Sequence, residues 1–202
     1  MRFPRATHLV VGFQHRKEAE RFLAELRARF ARFGLTLHPD KTRLLEFGRY
    51  ADQNRRARGD GKPETFNVLG FTHSCATTRT GWFTVLRQTV RTRWQAKRRA
   101  VKTERRRRVH LPVPEPGAYL RAVVLGHNRS SGVPMNGPAL SAFREAMARL
   151  WWRVLRRRRQ GHHLPWRRMG AYVARWLPPP RLCHPYPRVR FAVTTQGKSR
   201  MR

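Results

Sequence analysis

"ALSAFREAMARLWWRVLRRRRQ", residues 139 to 160, decides how the chain is read. Leu140, Phe143, Met147, Leu150, Trp151 and Val154 recur at the three- and four-residue spacing of one helix face. Arg144, Arg149, Arg153, Arg156, Arg157, Arg158 and Arg159 lie elsewhere on that helix or beyond it. One element thus joins an apolar face suited to a core with a run of guanidinium groups. The neighbouring stretches repeat the texture. Leu86, Val90, Trp94 and Val101 mark a stripe that runs out at Glu104 and Arg105, Arg106, Arg107 and Arg108. Tyr119, Leu120, Val123 and Val124 mark a shorter one. Trp166, Met169, Val173 and Leu177 mark a fourth, stopped by Pro178, Pro179 and Pro180. From about residue 86 the spacing predicts a small, basic helical bundle.

Upstream the texture differs. "RATHLVVGF", residues 5 to 13, holds Leu9, Val10, Val11 and Phe13, a short apolar run that reads as a buried strand. "RKEAERFLAELRARFARFG", residues 16 to 34, reads as an amphipathic helix capped by Gly34. "LTLHPDKTRLLEFG", residues 35 to 48, turns at His38-Pro39-Asp40 and reads as a β-hairpin. Residues 48 to 64 read as a flexible polar loop. "FNVLGF", residues 66 to 71, reads as a strand in which Gly70 permits close backbone approach, and "GWFTV", residues 81 to 85, as one more. The expected class is therefore α+β. Residues 1–85 form a mixed part, 86–193 a helical part, and 194–202 a frayed tail.

Charge narrows the function. Among 202 residues, Lys and Arg number 45 against 11 Asp and Glu, a formal net charge of +34. Scattered solvated side chains do not explain such an excess, which opposes compactness unless a polyanion screens it. Nucleic acid is the partner expected from this balance, with an anionic membrane surface as runner-up. No apolar run reaches the length of a membrane span, and Met1-Arg2-Phe3-Pro4 lacks the features of a signal peptide. A cytoplasmic protein with no membrane partner is expected. Cys75 and Cys183 stand far apart, and with His162, His163 and His184 they make no zinc-binding spacing, so ordinary thiols and no metal are expected.

The order of motifs carries more. "GLTLHPDKTRLLEFGR", "KPETFNVLGFTH", "GWFTVLRQTVRTR", the stretch quoted first, and "WLPPPRLCHPYPRVRFAV" follow one another over residues 34 to 193. Together they resemble the C-terminal part of bacterial group II intron reverse transcriptase/maturases, from about residue 6 to residue 193. The resemblance implies a truncated reverse-transcriptase palm (strand, helix, β-hairpin, strand) over residues 1–85. A thumb/maturase bundle would follow over residues 86–193. In that family, a strand like "LVVGF" follows Tyr-Ala-Asp-Asp, whose aspartates help hold the two catalytic magnesium ions. Arg5, Ala6, Thr7 and His8 occupy that place here, and a single imidazole does not replace the carboxylates magnesium needs. No catalytic residue and no cofactor are therefore expected for this chain, although the full-length family uses Mg²⁺.

The resemblance also implies that Lys41 and Thr42 lie near an incoming nucleotide. It likewise places Leu69 and Gly70 in a primer grip. The competing readings are a surface lysine in a turn and a core strand that needs a glycine. Trp151 and Trp152 read as a base-stacking platform or as core, with Trp151 on the core face. The thumb-like part implies RNA contact through Arg98, Arg99, Arg105, Arg106, Arg107, Arg108, Arg153, Arg156, Arg157, Arg158 and Arg159, because arginine forks bind phosphate and stack on bases. One departure is "GHNRSSGVPMNGP", which has Arg129, Ser130 and Ser131 where the family has aromatics. Three functions follow as expectations. The first is an RNA-binding fragment acting on group II intron or other structured RNA. The second is one piece of an RNA-directed DNA polymerase completed by an N-terminal reverse-transcriptase fragment. The third is a general basic nucleic-acid binder.

Overall fold

A computed structural model describes residues 9–158 and 164–186, without the side chain of Arg158. The chain is mixed α+β, with six helices and a three-stranded antiparallel sheet in the order β1-β2-β3 among the described residues. It divides into two compact units, one of Met1–Val68 with Ser74–Thr84, the other of Leu69–His73 with Val85–Arg202.

In the first unit, helix α1 spans Arg16–Arg32. Gly34 closes it with φ +66, the left-handed conformation glycine adopts most readily, and donates its N–H to Ala31 O at 3.1 Å. The stripe Phe22, Leu23, Leu26 and Phe30 is only half covered, and no residue of α1 is fully buried. Phe13 lies 5.2 Å from Phe22, ring to ring.

Three expectations for this unit are corrected. Leu9 to Phe13 pair with no strand among the described residues, and Leu9 and Val10 are 66% and 61% exposed. An apolar run becomes a strand only against a partner, and none is supplied. Residues 35 to 47 form no hairpin. Pro39–Lys41 make a single 3₁₀ turn in which Lys41 and Thr42 N–H both reach His38 O. The adjacent pair Leu44-Leu45 breaks the period of two that would set a strand register. The expected loop at 48 to 64 contains helix α2, Ala51–Ala57, with Ala51 buried.

Strands β1 (Phe66–Val68) and β2 (Phe71–Thr77) replace the single strand expected over 66 to 71, because Leu69-Gly70 folds into a two-residue turn with φ +50 and +88. Strand β3, Phe83–Thr89, is longer than expected and takes Leu86 out of the first helical stripe. Phe47 packs edge-on against Phe66 at 5.0 Å, and Gly48 N–H meets Cys75 Sγ at 3.4 Å.

The second unit contains four helices: α3 (Arg91–Arg107), α4 (Pro114–Ser131), α5 (Gly137–Arg158) and α6 (Trp166–Trp176). Their stripes meet as the spacing predicts. Val101, Leu120, Val124, Phe143, Met147, Trp151, Met169 and Leu177 form one buried core. In the segment "GHNRSSGVPMNGP", His127, Asn128, Ser131, Gly132, Pro134 and Asn136 are buried beside that core, whereas Arg129 and Ser130 are exposed. Asn136, 1% exposed, donates to Thr89 Oγ1 at 2.9 Å and Ser131 O at 2.7 Å, while accepting from Thr89 N–H at 3.1 Å. Asn128 donates to Pro179 O at 2.9 Å, and Gly132 O accepts from the N–H of Cys183 and His184. Polar groups therefore fasten the end of β3 and the chain after α6 onto the end of α4 and the α4–α5 connection.

Candidate nucleic-acid interface

Sixteen of the Lys and Arg and eight of the Asp and Glu fall within residues 1–85; residues 86–202 hold 29 against three. Of those three carboxylates, Glu104 pairs with Arg107 and Arg108, Glu145 pairs with Arg149, and Glu115 stands in the first turn of α4. Arg98, Arg99, Arg106, Arg153, Arg156 and Arg157 enter no ion pair among the described residues, and all six are exposed.

The fold brings two of the arginine runs together. Arg105, in the last turn of α3, reaches across to α5 and donates from Nη1 to Leu150 O at 2.5 Å. Burial first, and then the positive charges of Arg157, Arg106 and Arg153, push its guanidinium below the usual arginine pKa. Arginine stays charged in spite of this. The result is a concentration of like charge along α3 and α5. The α3 cations gain from the negative end of the helix dipole, which explains part of the run but not its meeting with α5. Lys102, exposed on α3, stands one turn from Arg98 and Arg99 and one turn from Arg105 and Arg106, so it belongs to the same ridge. That residue was missed in the sequence, although its spacing was the available signal.

Aromatic rings order several of these side chains. Arg156 lies 4.7 Å over the Trp152 ring and Arg98 lies 5.5 Å from Trp94. Trp151 is core, 1% exposed. Trp152 is half-buried, donates from Nε1 to Leu164 O at 2.9 Å, and meets Trp166 edge-on at 5.6 Å. It supports Arg156 rather than offering an open platform.

The other arginines named from the sequence stand beside Glu104 or lie beyond what the structure describes. Arg108 is held by Glu104 at 2.9 Å and lies over Tyr119 at 4.7 Å, and Arg107 stands 3.7 Å from the same carboxylate. Arg158 closes α5 in backbone only; Arg159, Arg5, Ala6, Thr7 and His8 lie outside the described residues. In the first unit Lys41 is exposed at the end of the 3₁₀ turn and Thr42 is half-buried. In the second, Leu69 is 78% exposed at a hairpin tip, with the Arg93 side chain against Gly70: a Cβ added there would lie 2.3 Å from Arg93 Nη1.

Among the described residues no group of three or more His, Cys, Asp or Glu side chains fits a metal ion. No helix there is long and apolar enough to cross a membrane. No family model, curated protein or solved structure matches the chain.

Proposed function

We propose that this chain is an RNA-binding fragment of a group II intron reverse transcriptase/maturase, its second unit corresponding to the thumb/maturase domain and its first to part of the palm. The observation that carries the reading is the meeting of the α3 and α5 arginines on one side of a helical unit that has almost no carboxylates to offset them. A polyanion relieves that repulsion, and intron RNA supplies both closely spaced phosphates and a folded shape. Binding, not DNA synthesis, is assigned to these residues, since Arg5, Ala6, Thr7 and His8 offer no carboxylate. The second reading, a piece of a polymerase completed by another segment, draws on Leu9 to Phe13 and the half-covered α1 stripe, which a further palm segment would cover.

The experiment compares a folded group II intron, a scrambled RNA of equal length and duplex DNA across a salt series. Intron RNA should bind best at physiological salt, and log K should fall linearly with log salt. Replacing Arg153, Arg156 and Arg157 together with Gln should flatten that slope by about two to three units, at roughly 0.7 to 0.9 per lost phosphate contact. Equal binding of all three polyanions would leave a general nucleic-acid binder. An unchanged slope would reduce the ridge to a solvated helix face.

A further inference from the structure

Between α5 and α6 lies an open groove of about 380 Å³, within the range of small-ligand sites. Its lining includes Trp166, Val173 and Gly170 on α6, with Arg144 and Glu145 on α5 and the exposed Arg167 beside them. Trp166 is 45% exposed although it is a large aromatic side chain. Its edge-on contact with Trp152, which carries Arg156 on its ring, links the groove by direct contacts to the arginines of α5.

Gly170 is the second observation. It sits in the middle of an eleven-residue helix, where glycine is the poorest former after proline, and a Cβ built on it meets nothing within 4 Å. Gly117, by contrast, is required by packing, since its Cβ would fall 2.6 Å from the Trp176 ring. Gly170 leaves the α6 wall of the groove open at its middle, which gives a flat ligand room to lie there.

We infer that this groove receives an unpaired base of the bound RNA, stacked on Trp166. The inference rests on the proposed function and adds the form of RNA preferred. A base needs an aromatic face, a cation for its phosphate and polar groups for its edge. Trp166 supplies the face and Arg167 the cation. Arg144 supplies donors, oriented by its two bonds to Leu177 O at 3.1 and 3.0 Å, and Glu145 supplies an acceptor.

The test uses two RNA hairpins with the same number of phosphates, one fully paired in its stem and one with two bulged purines, titrated by fluorescence anisotropy. The bulged hairpin should bind about tenfold tighter, the scale of one base–aromatic stack, with the same salt slope for both. Gly170→Leu places a bulky side chain on the groove wall, at a position whose Cβ meets nothing within 4 Å. It should abolish the preference while leaving flush-hairpin affinity and helix content unchanged. Trp166→Phe should keep part of the preference and Trp166→Ala none. Equal binding of the two hairpins, or a preference that survives Gly170→Leu, overturns the inference while the proposed function stands. If Gly170→Leu instead changes the oligomeric state and not the preference, the occupant is a second copy of the chain and the inference fails. If neither hairpin binds, the proposed function fails and takes this inference with it.

Discussion

The apolar stripe of α1, Phe22, Leu23, Leu26 and Phe30, is half covered, whereas the stripe of α5 buries Phe143, Met147 and Trp151 almost completely. Both helices are amphipathic and both are laden with arginine. The difference lies in their neighbours. Helices α3, α4 and α6 each bring a stripe of their own to α5, and the four stripes close one core. The first unit offers α1 little more than Phe13 and extended chain, and among its described residues only Ala51 is fully buried. A helix can be specified locally, but burial has to be supplied by other parts of the chain.

Truncation at equivalent positions is the strongest test of that contrast. Trp151→Ala should cost about 4 kcal/mol, the scale of emptying a packed aromatic site, and should lower the urea midpoint of the second unit. Phe22→Ala should cost about 1 kcal/mol or less, since only part of the ring leaves water on folding. Native-state hydrogen exchange should place the weaker protection over residues 9–68. Comparable costs at the two positions would mean that the α1 stripe is covered in solution by something else, as the completed-polymerase reading expects.

Polar fastening differs as sharply. Asn136→Ala removes three hydrogen bonds, one buried and two part-buried, and takes a partner from Thr89 and Ser131, a loss of about 3 kcal/mol. In the first unit, the comparable tie is the weak pair of contacts between Cys75 Sγ and Gly48, so Cys75→Ala should cost under about 1 kcal/mol. Thermal melts of the two variants would separate them.

A pH series probes the same interior. His127 is 3% exposed, its ring lies 3.9 Å from that of Phe143, and its Nδ1 stands 3.4 Å from Ser131 Oγ. Burial, and next the charge of Lys97, lower its pKa to about 4 from an ordinary 6.5. Between those values the unfolded chain binds more protons than the folded one. Stability is therefore complete above pH 6.5 and falls as the pH drops toward 4. The second unit should lose about 2 kcal/mol between pH 7 and pH 5, and His127→Phe should flatten that dependence. A slope that persists in His127→Phe would assign it to other groups.

How far these features could be read beforehand follows from the same physics. The five longer helices were legible because helical periodicity is local. So was the arginine excess, although its division between ridge and ion pair was not, because Arg108 is tied by Glu104 and Tyr119 only once α3 and α4 pack. Leu9 to Phe13 and residues 35 to 47 misled because strand composition says nothing of a partner strand. The polar segment around Asn128, Ser131 and Asn136 carries no apolar stripe of its own. Its burial depends on Thr89, Pro179 and Cys183, which lie far away in sequence. The α5–α6 groove has no local signature except a mid-helix glycine.

The smallest expected effects test packing within a single helix. Gly117 and Gly126 both lie in α4, but their surroundings differ. A Cβ at Gly117 would fall 2.6 Å from Trp176 Cδ2, while one at Gly126 would meet nothing within 4 Å. Gly117→Ala should therefore cost about 1 to 2 kcal/mol by forcing the indole aside. Gly126→Ala should stabilise by about 0.5 to 1 kcal/mol, because alanine loses less backbone entropy in a helix. The two changes are chemically identical and nine residues apart on one element, so propensity cancels and only packing against α6 remains. If both variants stabilise, Trp176 has room to move and the interior is looser at this end than around Phe143 and Trp151. If both destabilise, exposed Gly126 has a role in the folded chain that its open surroundings do not reveal. Opposite signs in paired melts would extend the close packing of the second unit from the centre of α5 to the α4–α6 contact.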